Sequence, residues 1–365
     1  MTRQRAPIAI IGGGISGAAA CLRLAALDID VLWITPLVNG TDKPGEHLAA
    51  AARPLLAQLG IEDLLDRHYH RAANTLFSAW GSDPLVERNA IVHLEGPATV
   101  LDRMAFERDL TERVLSRGVH QVEAMLTVAE RCDDLWHLQL GKTTAQASFL
   151  LDATGRNASI ARHYARRYRA DRLAALYTFL ERAPDADVEP TQATLIESTS
   201  TGWWYAALRA NKSLALNFYT DPALIPRQAT RDTAVLQTLL QETRYISRWI
   251  ADVGFSLDSP PRIARADTTW IAPAAGAGWA AIGDAAAAFD PLSSHGMTTA
   301  LWTAITAADA AAAALSGQTT PLARYADRVA AGVQDFLHSR SSIYSQETRF
   351  ADQPFWQQRR IPDPA

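Results

Sequence analysis

The sequence predicts an α/β fold: a parallel-sheet, nucleotide-binding domain at the N-terminus, a second antiparallel sheet, and a helical C-terminus. Three observations predict it. A short apolar run, Ile8 to Ile11, breaks directly into Gly12-x-Gly14-x-x-Gly17, and an alanine-rich helical segment follows over residues 18–27. Alternating apolar segments recur over 193–198, 202–209 and 214–219. Helical patterns then fill 230–253 and the stretch beyond Met297.

The first unit reads strand, tight turn, helix. Gly12 suits the turn, Gly14 lets the backbone approach a pyrophosphate, and Gly17 lets the helix pack closely on the strand. The N–H groups of Ile15 and Ser16 open the helix and, with its positive dipole end, hold phosphate. This is a Rossmann-type dinucleotide turn. A second strand over 30–34 ends at Thr35-Pro36, where an acidic residue ordinarily meets the ribose 2′-OH. Thr35 offers a weaker hydroxyl contact, and no arginine stands beside it to receive a 2′-phosphate. Resident NADP is therefore not expected, and these residues leave FAD and NAD both open.

Composition bounds the rest. The 365 residues suffice for two domains with substantial cores, and 48% apolar with 20% charged residues is ordinary globular usage. A net charge of −4 argues against nucleic-acid binding. Cys21 and Cys132 are the only cysteines, so neither a disulfide framework nor a thiolate metal site is expected. The basic start followed by an apolar run resembles a signal peptide, but glycines interrupt it and Arg23 follows, so a strand is the better reading. The alanine-rich run over 298–315 contains Asp309 and several threonines, which predicts a buried helix rather than a membrane span. The expected location is cytoplasmic.

The remaining elements follow in order. A polar turn occupies 39–47, and a helix over 48–59 stops at Gly60. Residues 75–81 and 90–94 read as strands. From Asp102 a helix carries Phe106, Leu110, Val114 and Leu115 at helical spacing. Alternating segments over 120–128, 135–140 and 147–151 predict a meander ending in Asp152-Ala153-Thr154-Gly155-Arg156. Residues 278–284 read as a buried strand opening into a loop. Arg162, Arg166, Arg167 and Arg169 read as a solvated helix face, with guidance of an acidic protein surface as the alternative. Phe350, Phe355 and Trp356 are expected to dock on the catalytic domain.

Three separated segments now align: the glycine turn, Asp102-Arg103-Met104-Ala105-Phe106, and the run from Ala281 through Gly283-Asp284 to Asp290-Pro291-Leu292-Ser293-Ser294-His295-Gly296-Met297. With them the chain resembles the FAD-dependent monooxygenase and tryptophan-halogenase superfamily over nearly its whole length. The resemblance implies a glutathione-reductase-like FAD domain (1–74, 95–170, 263–320), a substrate domain (75–94, 171–262) and a helical C-terminal segment (321–365). It implies noncovalent FAD, contacted by Gly283 and Asp284 at ribityl and pyrophosphate, by Arg103 and Glu46, by Thr154 and Gly155 beside the adenine, and by Pro291, Gly296 and Met297 at the flavin ring. The helix starting at Gly296-Met297 would aim its N–H groups at the pyrimidine edge. His295 in that loop, His47 after Glu46, and Trp204 are the catalytic candidates, each with a purely structural alternative.

Ser78-Ala79-Trp80-Gly81-Ser82, the 290–296 loop, Gly202-Trp203-Trp204-Tyr205 and the ending Asp352-Gln353-Pro354-Phe355-Trp356 resemble one branch of that superfamily. The branch holds the flavoproteins that mature lysine ε-oxidase, glycine oxidase and quinohemoprotein amine dehydrogenase. The resemblance implies oxygenation of an electron-rich ring, a tryptophan in the precursor subunit of a quinone-dependent oxidase or dehydrogenase. The electrons would come from NAD(P)H or a flavin reductase, and the oxygen from O2. Hydroxylation of a free aromatic molecule and a non-catalytic flavin-binding maturation factor are the rivals. Halogenases pair a Trp-x-Trp-x-Ile-Pro segment with a tunnel lysine. Here the segment reads Trp203-Trp204-Tyr205-Ala206-Ala207-Leu208, and no lysine lies between Lys43, read as a solvated loop residue, and Lys142.

Overall fold

The computed structural model describes residues 3–36, 43–89, 96–183 and 186–360. Its first sheet is built around strand Arg3–Ile11, which runs parallel to Val31–Thr35 on one side and to Thr143–Asp152 on the other. His120–Glu123 and Trp279–Ala281 extend the sheet in parallel at either side. All five residues of Val31–Thr35 are buried, as a strand covered on both faces requires. The expected meander is present: Leu126–Cys132 and Leu135–Leu140 fold back antiparallel onto Thr143–Asp152.

Helix α1 (Ile15–Ala25) follows the glycine turn and buries Ala18, Ala19 and Ala20. α2 (Arg53–Leu59) is shorter than the predicted helix over 48–59. His47–Leu48 instead pairs with Ala98–Val100, and a 3-10 turn at Ala50–Ala52 precedes α2. Pro54 in the first turn fixes where the helix starts, and Gly60 ends it at φ 67°. α3 (Arg103–Ser116) is capped by Asp102, whose carboxylate accepts from the Ala105 N–H at 2.9 Å. Phe106, Leu110 and Val114 are buried as their spacing predicts, whereas Leu115 faces solvent.

The second sheet places Ala174–Arg182, Leu214–Thr220, Gly202–Leu208 and Ala193–Thr199 side by side and antiparallel. Thr75–Ala79 joins it parallel to Ala193–Thr199 and pairs outward with Val86–Asn89. The strand predicted over 90–94, and the part of the polar turn before residue 43, lie outside the described residues.

Two predicted elements differ. The helix predicted over 230–253 is two helices, α4 (Thr233–Leu240) and α5 (Tyr245–Val253). The cause is Glu197, buried on the sheet, whose carboxylate accepts from the N–H groups of Arg244 at 2.6 Å and of Tyr245 and Ile246 at 3.0 Å. A fixed anion there is satisfied by a helix N-terminus, so a new helix starts at that point. Arg166–Arg169 is a strand antiparallel to Thr269–Ala272, not a helix face, because main-chain pairing with that strand captures it.

α6 (Gly296–Leu315) packs its alanines on α1 and on α7 (Thr320–Ser345). No described helix is long and apolar enough to cross a membrane. Both faces of the second sheet are covered. Trp204 and Phe218 belong to a core shared with Ile246 and Ile250 of α5. Trp203 and Tyr219 belong to another, shared with Tyr344 of α7 and with Phe355 and Trp356 of α8 (Pro354–Arg360). The aromatic ending therefore docks on this sheet: the Trp356 indole donates to the Thr199 carbonyl at 2.8 Å, and Arg359 pairs with Asp221 at 2.6 Å.

Candidate active site

The glycine turn is built under close contact. A Cβ on Gly12, at φ 128°, would lie 2.2 Å from the Ala153 carbonyl oxygen, and one on Gly17 would lie 2.1 Å from the Gly12 oxygen. That oxygen also accepts from the Trp33 indole at 2.9 Å. Around Gly14 nothing lies within 4 Å of the position a Cβ would take. Two glycines are thus required by the protein's own packing, and the third leaves room at the start of α1, where N–H groups have no intrahelical partner. Gly283 closes against the same spot, since its Cβ would stand 2.6 Å from Ser16 Oγ.

From here a cavity of about 480 Å³ runs to the second sheet. Gly14, Ile15, Ser16, Glu46, His47, Arg103, Gly155, Asp284, Pro291, Gly296 and Met297 all line it. Gly12, Gly17 and Gly283 shape its backbone without lining it. Thr35 and Thr154 stay outside. The Thr35 hydroxyl accepts from Gln121 at 2.9 Å; Thr154 donates to Asp152 at 2.6 Å and accepts from the Ser159 N–H at 2.7 Å. Both hydroxyls serve the strand ends rather than the cavity.

Arg103 ties the cavity wall to α3, donating to Glu107 at 2.8 Å and to the carbonyls of Pro44 at 3.2 Å and Gly45 at 3.4 Å. Lys43 is an exposed loop residue, as expected, whose ammonium also sits 3.0 Å from Glu107 and lines the cavity. Asp284 lies 3.4 Å from the Arg156 guanidinium.

The far end is aromatic. Trp203 stacks on Tyr219 with ring centroids 4.0 Å apart, and Tyr177 and Tyr205 complete the wall. Glu46 is buried there, and neither carboxylate oxygen has a hydrogen-bond partner among the described residues. Burial raises its pKa above the usual carboxylate value, against the opposing pull of nearby backbone N–H groups, Arg209 and Arg103. His47 stands 3.0 Å from the Thr194 hydroxyl, its ring edge toward Tyr205. Burial, helped by the positive charge of Arg71, pushes its pKa down to about 4, which leaves the imidazole neutral.

Two catalytic candidates are not brought to this cavity. Trp204 is fully buried on the opposite face, stacked on Phe218 at 4.6 Å, because strand alternation sends Trp203 and Tyr205 to the cavity and Trp204 to the α5 side. His295 is exposed and lines a second, mostly apolar cavity of about 410 Å³ between α6 and α7. The 289–296 loop is the wall between the two cavities, and Phe289 and Asp290 face both. Sequence reasoning missed Tyr219, Tyr177 and the separate part of Arg156. Tyr219 is legible only once register sets it opposite Trp203.

The residues present fit a flavin dinucleotide. The open space at Gly14 lies at the start of α1, Asp284 and Arg103 line the same cavity, and Glu46, whose carboxylate has no hydrogen-bond partner among the described residues, lines it too.

No family model matches this chain. It is 26% identical over 365 residues to the FAD-dependent oxidoreductase LodB of Marinomonas mediterranea, covering 96% of this chain and 95% of that one. The flavin-dependent halogenase CmlS superimposes with a TM-score of 0.86 at 21% identity, over 100% of this chain and 68% of its own. QhpG, a peptidyl tryptophan dihydroxylase essential for tryptophylquinone cofactor biogenesis, superimposes with a TM-score of 0.80 at 22% identity, over 99% of this chain and 80% of its own. The chain has the fold of these flavin-dependent oxygenases and halogenases, and the relatives found are those its motifs resemble.

Proposed function

We propose that this chain is an FAD-dependent monooxygenase that places oxygen on an electron-rich aromatic ring, a tryptophan of a partner polypeptide during tryptophylquinone biogenesis. The carrying observation is one continuous cavity that joins the open space at Gly14 to an aromatic wall holding a buried carboxyl and a neutral imidazole. The amides of Ile15, Ser16 and Gly17 would hold the pyrophosphate, with Asp284 and Arg103 beside it. Bound FAD, reduced by NAD(P)H or a reductase, supplies the activation of O2.

The chain's own residues do the rest. Trp203, Tyr205 and Tyr219 exclude water and orient a planar ring by stacking and edge contacts. Glu46, buried at the aromatic wall, would accept the proton that the substrate's ring carbon or N–H releases as the ring is oxidised and pass it on to solvent. His47, held by Thr194, fixes the Glu46 segment and carries no competing charge. The similarity to QhpG, a peptidyl tryptophan dihydroxylase, supports a polypeptide acceptor. Lys43 is the one lysine lining the cavity among the described residues, and it is engaged by Glu107, which disfavours halogenation.

The test is co-incubation of the FAD-loaded protein with a candidate precursor subunit, NAD(P)H, chloride and labelled O2, followed by peptide mass spectrometry. A tryptophan should gain one or two labelled oxygens and no chlorine. Label arriving from water would overturn the chemistry, and turnover of free tryptophan alone would move the acceptor to a small molecule.

A further inference from the structure

The lip of this cavity carries more positive charge than its contents use. Strand Arg262–Arg265 edges the second sheet there, pairing with Ala174–Arg182 on one side, and Arg265 lines the cavity. The next link along the chain buries Asp267, 3% exposed, and three guanidiniums converge on it: Arg265 at 2.8 Å, Arg169 at 3.1 Å and Arg156 at 3.9 Å. Arg167 donates to the Arg156 carbonyl at 2.8 Å. Burial lowers its pKa, and the crowding of Arg265, Arg169 and Arg162 lowers it further. Asp171, beneath this layer, is taken by Arg340 at 3.1 Å.

On the strands and turns that carry this knot, Arg162, Arg166, Arg172 and Arg262 are exposed. Arg156, Arg169 and Arg265 share the Asp267 carboxylate and Arg156 also reaches Asp284 at 3.4 Å, so with Arg167 and the four exposed arginines this stretch carries surplus positive charge in a chain whose net charge is −4. Ile263, 53% exposed, sits on the same strand as Arg262. Arginine mixed with exposed apolar surface is the composition of a protein interface rather than of a solvated face. A guanidinium fork also binds carboxylates in pairs.

We propose that this arginine face docks an acidic, extended segment of the partner polypeptide, holding it across the cavity mouth while its aromatic side chain enters. The proposal rests on the polypeptide acceptor argued above. The attraction steers the encounter and selects the segment, while the aromatic wall selects the ring.

The experiment uses FAD-loaded protein and two fluorescein-labelled synthetic peptides of equal length, each with one tryptophan, one rich in glutamate and the other in lysine. Binding is read by anisotropy at low and high salt. The glutamate peptide should bind at low salt and weaken steeply as salt rises, while the lysine peptide should not bind. In the triple variant Arg162→Glu, Arg166→Glu, Arg262→Glu, all three outside the cavity lining, the glutamate peptide should weaken on the order of tenfold or more. Flavin content and melting temperature should stay unchanged. The milder Arg→Gln triple should show a smaller loss in the same direction, which covers misfolding of the first. Equal binding of both peptides, or unchanged binding in both variants, overturns the proposal. Loss of flavin in the variants, or displacement of the peptide by NADPH, overturns it in favour of a dinucleotide phosphate site. Peptide binding without oxygen gain would leave docking standing and refute the reaction; oxygenation independent of these arginines would do the reverse.

Discussion

Gly14 and Gly17 stand three residues apart in one motif, yet the structure gives them opposite sensitivities. In Gly17→Ala the new Cβ meets the Gly12 carbonyl oxygen at 2.1 Å, so the backbone must yield by about 1 Å to reach ordinary contact. Such overpacking costs roughly 1–3 kcal/mol. The same oxygen is the acceptor for Trp33, so losing that bond adds about 1 kcal/mol. The sum is about 3 kcal/mol against folding, before any cofactor is added. Gly14 differs: its φ of −83° and ψ of −175° suit a β-branched residue, and its Cβ position is open. Gly14→Val should cost the apo protein about 1 kcal/mol at most, from the poorer helix cap. Its side chain would fill the space left for phosphate. The assay is thermal melting with and without FAD. At a hundredfold excess over Kd, FAD adds about 2.7 kcal/mol to the native protein. Gly14→Val should melt near the native apo temperature and gain nothing from FAD, whereas Gly17→Ala should start several degrees lower. A Gly14→Val protein that still gains from FAD, or whose apo form falls as far as Gly17→Ala, refutes the assignment of the cradle.

His47 titrates at about 4 in the fold and near 6.5 unfolded, so the unfolded chain binds more protons between those values. Its contribution is whole above pH 6.5 and is lost as pH falls toward 4; His47→Gln should flatten that acid limb in denaturant melts taken across this range. Arg359→Met should strand the carboxylate of Asp221 in a site where both partners are nearly buried, lowering stability by roughly 3–5 kcal/mol in urea titrations, and Arg359→Met with Asp221→Asn should recover part of the loss. Trp204→Phe should lower the urea midpoint while leaving flavin content and product unchanged, and His295→Ala should leave flavin content unchanged. Loss of flavin in His295→Ala would mean that the 289–296 loop does not separate the two cavities.

What could be read from the chain alone was what depends on near neighbours in sequence. The glycine turn, the helix start at Asp102 and the Gly60 stop are each set within a few residues, and all three stand in the fold. Alternation correctly placed Trp203 and Trp204 on opposite faces but could not say which face was the cavity, since both faces are covered. The break between α4 and α5 is fixed by Glu197, some fifty residues earlier, and locally only Thr243 marks it, its hydroxyl accepting from the Ser247 N–H at 3.0 Å. Arg166–Arg169 carries a solvated pattern and became a strand through pairing with residues a hundred positions later. His295 was placed in the right loop and on the wrong side of it.

The first sheet has a consequence for how this chain can be made. Strand Arg3–Ile11 cannot complete its pairing until Thr143–Asp152 exists, that strand needs Trp279–Ala281 beside it, and α1 lies against α6. The second sheet then waits for Trp356 and Arg359, a few residues from the end. No N-terminal fragment emerging from a ribosome owns a finished core, so alanine- and tryptophan-rich surface stays exposed through most of synthesis. A chain cut anywhere before α8 should aggregate rather than fold in part, because one face of the second sheet then loses the aromatic cover that Phe355 and Trp356 give it.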